Sequence, residues 1–190
     1  MPLLFSLMLG VLGGVSFPPS EHSLSSPVPP QHVTVAPDTV TLLGYHAEVP
    51  SGWVARTPSS SMRLAEFATG ATGPAADVVA YYFGPAQGGS IDDNLTRWKE
   101  QFSNPDGSEL VARVTRETSG PFPLTIAEYR GTYARGIGAG SSADKALPDH
   151  ALIAVITETP KGTLFFQMYG PAAVVASQRE RYLAFVRGLQ

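Results

Sequence analysis

The chain reads as an α+β domain in which an antiparallel β-sheet is flanked by helices, an α/β/α sandwich. Three stretches predict it. Residues 77–102 change their hydrophobic period once: 78–83 is a short apolar, aromatic-rich run of strand length, stopped by Gly84-Pro85, and Ile91, Leu95, Trp98 and Phe102 then recur at helical spacing. Two nearly continuous apolar runs, 152–156 and 164–166, flank Pro160-Lys161-Gly162, as expected of central strands covered on both faces. A closing amphipathic helix places Val175, Tyr182, Val186 and Leu189 on one stripe with Phe185 beside it, while Arg179, Glu180, Arg181 and Arg187 keep another side wet.

Composition bounds the rest. A chain of 190 residues with 43% hydrophobic and 15% charged residues is globular, and its length favours one domain. A net charge of -3 supplies no basic field for phosphates, so nucleic acid is not an expected partner. The absence of cysteine excludes a disulfide framework, a thiolate metal site and a cysteine nucleophile.

Residues 2–17 are apolar and uncharged, with Gly13, Gly14 and Ser16 after the apolar centre. That is the length of a signal-peptide core and short of the roughly 20 residues that span a bilayer, so the expectation for 1–17 is a leader and for the protein a periplasmic or extracellular address. The alternatives are an uncleaved anchor, which would be the only membrane contact, or a buried apolar segment. Residues 18–37 hold six prolines among serines and read as a disordered tether, with His22 and His32 in solvent.

The folded domain is expected over 38–190. Residues 39–49 are rich in β-branched side chains and read as one strand, Pro50-Ser51-Gly52 as a turn, and Met62, Leu64 and Phe67 as a second strand that leads into 78–83. Ser90 stands at an N-cap position with Asp93 as its capping-box partner, and Asp93 and Arg97 are spaced to pair on the helix surface. Pro105-Asp106-Gly107 closes that helix region. Residues 109–117 and 123–133 then alternate as strands around a Gly120-Pro121 turn. Residues 136–148, rich in Gly, Ser and Ala, read as a surface loop, and Pro171 opens the last helix. Tyr82-Phe83-Gly84-Pro85-Ala86 and Met168-Tyr169-Gly170-Pro171-Ala172 end strands in the same way and mark two equivalent exits toward helices.

Together, Val49-Pro50-Ser51-Gly52-Trp53, the antiparallel strands, the mid-chain helix and the helix after Tyr169-Gly170-Pro171 resemble the PsbP-like superfamily. That fold is shared by an extrinsic subunit of photosystem II and a small import factor that binds the GTPase Ran. More narrowly, Trp53, Tyr82-Phe83-Gly84-Pro85, Gln87-Gly88-Gly89-Ser90 and Trp98 look like exported bacterial members with that fold. The resemblance covers about 41–189 and implies a domain used for docking; none of the photosystem or Ran contact residues can be matched here.

Chemistry is sparse. There is no G-x-S-x-G elbow, His46 stands alone, and Asp149-His150 is the one pair that could form half of a zinc or triad site in a hydrolase-like enzyme. Asp92 and Asp93 suit a helix start, where they would repel a phosphate from Gly88-Gly89-Ser90, and Gly138-Ala139-Gly140 lacks the surroundings of a dinucleotide site. No cofactor and no metal is expected. The binding surface expected from sequence is Tyr82 with the loop Gln87, Gly88, Gly89 and Ser90, since loops beside a rigid sheet commonly carry recognition groups. The expected role is binding a protein or a cell-envelope component, with a small-ligand binder predicted to show a pocket between helix and sheet.

Overall fold

The computed structural model describes residues 35–36, 38–134 and 146–190, and these fall in one unit, Gln31–Gln190. Its centre is the hairpin of β10 (Leu147–Thr159) and β11 (Gly162–Pro171), paired antiparallel from Thr159↔Gly162 to His150↔Pro171. Every residue from 151 to 157 is buried, because neither face of β10 meets water and the strand has no reason to alternate. Around the hairpin an eight-stranded antiparallel sheet is laid out. β9 (Phe122–Tyr133) flanks β10. On the other side β6 (Asp77–Tyr81), β5 (Arg63–Ala68) and β4 (Val54–Arg56) follow β11 in turn. β8 (Arg113–Ser119) and β7 (Phe102–Ser103) share the outer edge of β9.

The two faces have different covers. Ile153, Val155, Phe166 and Met168 belong to a core shared with α2 (Ala172–Arg187), whose Val175, Tyr182, Phe185 and Val186 are buried against them. A three-stranded sheet of β1 (Val35–Ala36), β2 (Thr39–Leu42) and β3 (Tyr45–Glu48) adds Val40, Leu42 and Ala47 to the same core. Trp53 fills the space between Phe67 and Phe185, at ring distances of 6.0 and 5.5 Å, and its indole N–H donates to Gln178 Oε1 at 3.2 Å. Leu152, Ala154 and Phe165 face the other way, toward α1 (Ile91–Lys99), with Trp98 3% exposed. Each such buried apolar or aromatic side chain contributes roughly 1.5–3 kcal/mol to folding.

Both ends of α2 are tied. At its far end His46 N–H donates to Gln190 O at 2.8 Å and Gln190 N–H to His46 O at 3.0 Å, so the chain after α2 pairs with β3. Along its length Arg179 reaches Glu128 on β9 with two hydrogen bonds of 2.8 and 3.1 Å, and Arg187 reaches Glu117 on β8 at 2.7 and 3.2 Å.

Several local expectations need correction. Residues 39–49 form two strands, because Leu43 and Gly44 both take positive φ (52° and 79°), the conformation of a two-residue hairpin turn. β4 is an additional short edge strand, and pairing begins at Val35, ahead of Asp38. Phe102 is buried as expected but sits in β7, after α1 has ended at Lys99. The central hairpin turns through Pro160-Lys161 alone, with Gly162 already paired to Thr159. Leu147 and Pro148 belong to β10 rather than to a loop; the rest of the expected loop, 136–145, lies outside the described residues, as do 1–34 with the expected leader, most of the tether, His22 and His32.

Tyr182 is fully buried and its hydroxyl has no hydrogen-bond partner among the described residues, so it carries a desolvation cost with no compensating bond there. Tyr182→Phe is expected to leave stability unchanged or raise it by about 1 kcal/mol in urea unfolding; a loss of that size would show that the hydroxyl is satisfied in solution. The Arg179 and Arg187 hydrogen bonds hold the Glu128 and Glu117 carboxyls below the usual carboxylate range. Each depressed carboxyl favours the folded state above its unfolded-chain value, and that contribution fades as the pH falls through the folded value. The stability gap between the wild type and Arg179→Met should therefore be largest at neutral pH and close as acidification passes through the depressed Glu128 value; a gap independent of pH would contradict the account.

Candidate functional site

Among the described residues the second face of the sheet is only partly roofed. α1 has nine residues, about 13 Å of helix, and Ile91, Leu95 and Trp98 hold it against the sheet, with Tyr129 Oη donating to Leu95 O at 2.9 Å. Burial pushes the Tyr129 hydroxyl up to about 12, which keeps it a donor. The start of α1 is fixed by Ser90, whose Oγ accepts from Asp93 N–H at 3.1 Å while Ser90 N–H donates to Asp93 Oδ2 at 3.4 Å, the reciprocal pair expected of a capping box. Asn94, 1% exposed, latches the preceding loop to the helix: its Nδ2 donates to Gly88 O and Ser90 O, both at 2.8 Å. Gly88 has φ 102°, and a Cβ there would stand 2.7 Å from the ring of Phe165 and 3.1 Å from that of Phe83, so only glycine lets the loop close over these rings.

Beside α1, over β6 and β11, lies a groove of about 310 Å3. Its walls are the rings of Tyr81, Phe83, Trp98, Tyr133 and Phe165. Tyr81 and Phe83 lie parallel with centroids 6.0 Å apart, and Phe165 meets Phe83 edge-to-face at 5.4 Å. Four polar side chains line it as well: Asn94, Arg97, Gln101 and Gln167. Arg97 is the one charged side chain among these lining residues, and it hydrogen-bonds the neutral Oδ1 of Asn94 rather than pairing with Asp93 as the spacing suggested, because Asp93 is taken up by Ser90. Arg63, outside the lining, lies over the Tyr81 ring, 5.5 Å from its centroid, while bonded to Glu66 at 2.9 Å.

Two larger depressions are lined by more charged side chains. One of about 650 Å3 runs between β3 and the end of α2, past His46, Glu48, Arg181 and Gln190. Another, of about 450 Å3, surrounds Arg113, Glu128 and Arg179, whose charges already answer one another. The groove beside α1 combines a ring-lined wall with polar groups not committed to ion pairs, the composition of small-molecule sites.

The structure divides the residues singled out from sequence. Gly88, Gly89 (φ 80°) and Ser90 are not among the lining residues; Gly88 stands against Phe83 and Phe165, and Ser90 caps α1. Gln87 is exposed on the turn that its N–H closes onto Gly84 O at 3.2 Å. Tyr82 is not part of the groove. Strand alternation turns it to the α2 side, where its hydroxyl donates to Lys161 O at 3.2 Å. Asp149 and His150 do not address each other: the carboxylate pairs with Arg130 at 2.8 Å, and His150 Nδ1 lies 2.8 Å from Pro148 O, at an irregularity in β10 where Asp149 takes φ 50°. His46 sits 2.9 Å from Thr41 Oγ1. Among the described residues no group of three or more His, Asp or Glu is placed to hold a metal ion.

Sequence reasoning missed Tyr81, Phe83, Trp98 and Phe165 as groove walls because each is also a core residue. The available signal was the period-two set Val79, Tyr81 and Phe83 together with a helix too short to roof it.

No protein-family model matches the chain, and no curated protein matches it.

If the Ser90 cap sets the start of α1 and with it the edge of the groove, Ser90→Ala should destabilise the domain by about 1 kcal/mol. Chemical denaturation measures this, and an unchanged midpoint would show that the helix start is held by Asn94 alone.

Proposed function

We propose that the chain is an exported, non-catalytic binding domain of the PsbP-like type, and that the groove beside α1 receives a small ring-bearing component of the cell envelope. The observation that carries this reading is the groove between α1 and β6–β11, where the half-buried Tyr81 and Phe83 stand with Gln101 and Gln167 over a buried floor of Trp98 and Phe165. The PsbP-like assignment is supported by the antiparallel sheet with a helix on each face and by Trp53, which follows the Pro50-Ser51-Gly52 turn and packs under α2. Export is supported by the uncharged apolar run at 2–17, and among the described residues no helix is long and apolar enough to cross a membrane. The separate partners of Asp149 and His150 favour binding over hydrolysis. At about 310 Å3 the groove is at the small end of ligand pockets, which favours a small molecule over a protein side.

Gln167→Phe places a ring where the amide now lines the groove. The low-molecular-weight fraction of an envelope extract should raise the melting temperature of the wild type and leave that of a cooperatively folded Gln167→Phe unchanged. Equal shifts in the two proteins would place the ligand elsewhere.

A further inference from the structure

We infer that the ligand of the groove is a planar aromatic carboxylate, its ring held among Phe83, Phe165 and Trp98 and its carboxylate by Arg97. The inference rests on the reading of the groove as a binding site and adds the chemistry of its occupant.

The rings come first. Phe83 and Phe165 meet edge-to-face, and Tyr81 lies parallel to Phe83, so the walls present both ring faces and ring edges to the space between them. A flat π system continues such an array in the offset or edge-to-face contacts that aromatic pairs prefer. The volume of about 310 Å3 suits one ring or two fused rings.

Charge then selects among ring-bearing ligands. Aromatic clusters of this kind also take quaternary ammonium ions, but here the Tyr81 face is already occupied by Arg63 and the one charged lining residue is Arg97, so a cation would meet a guanidinium. No carboxylate stands among the lining residues beside Arg97. An anion is the complement. Arg97 hydrogen-bonds only the neutral Asn94 Oδ1 among the described residues, which leaves guanidinium N–H groups to take a carboxylate in the two-pronged geometry that suits arginine.

The rings favour an aromatic acid over an acidic sugar. Among the described residues Gln101 and Gln167 are the groove amides with no hydrogen bond to another side chain, while Asn94 is consumed by Gly88, Ser90 and Arg97. Tyr81 and Tyr133 add hydroxyl-bearing side chains to the lining, but five of its nine residues are aromatic, and such walls suit the flat face of an aromatic ring better than a pyranose that presents hydroxyls all round.

Isothermal titration calorimetry of the full chain with benzoate, 2-naphthoate, benzamide and glucuronate tests this. Both aromatic carboxylates should bind saturably, and benzamide about tenfold more weakly than benzoate, the difference expected for a charge-assisted hydrogen bond. Arg97→Gln should weaken benzoate about tenfold and leave benzamide unchanged, with Arg97→Lys in between. Equal affinity for benzoate and benzamide, indifference of benzoate to Arg97→Gln, preference for glucuronate, or no binding of either aromatic acid overturns the ligand class. Where no probe binds, the melting shift with the envelope extract separates the two levels, and where one binds Gln167→Phe does. If it abolishes whichever probe binds, the groove stands and only the aromatic acid is wrong; if it changes nothing, the groove itself is wrong.

Discussion

Burial of the β10–β11 hairpin on both of its faces is the constraint from which the rest of the structure follows. Leu152, Ala154 and Ile156 point to one side and Ile153 and Val155 to the other, and all five are at most 3% exposed. A strand pair of that composition is insoluble with one face open, so the chain must supply two covers. It does so by unequal means. α2 has sixteen residues, is joined directly to β11 through Pro171, and is assisted by the small sheet of β1–β3. α1 has nine residues and reaches the sheet only after a glycine-rich loop.

That inequality accounts for where function can reside. Under α2 the space is filled, to the extent that the Tyr182 hydroxyl is enclosed without a partner among the described residues. On the other face α1 packs over β9, and the aromatic side chains of β6 and β11 beside it serve as core and as groove wall. The loop before α1 is placed by two local devices: Gly88, which permits contact with Phe83 and Phe165, and Asn94, whose amide ties Gly88 and Ser90 to the helix.

Much of the scaffold was legible in the sequence because it is written in local periodicity. The Ser90 cap, the uniformly apolar 152–156 run and the stripe of α2 each follow from residues close in the chain. The split of 39–49 was not, since it depends on Leu43 adopting a left-handed conformation that a β-branched-rich stretch does not advertise. Tyr82 was assigned to the binding surface and Tyr81 and Phe83 to the core because alternation fixes which residues share a face without saying which face is left open. That depends on the length of α1 against the width of the sheet, a comparison between distant segments. The pairing of Arg97 with Asn94 likewise depends on Asp93 having been claimed by Ser90.

The unequal covering can be read out directly by native-state hydrogen exchange. Amides of β10 and β11 should exchange only through global unfolding, while those of α1 should exchange through a smaller opening, at a lower free energy and with lower denaturant dependence. Protection of α1 equal to that of the central hairpin would mean that the second face is closed as firmly as the first, and would contradict this account of the fold and of the groove.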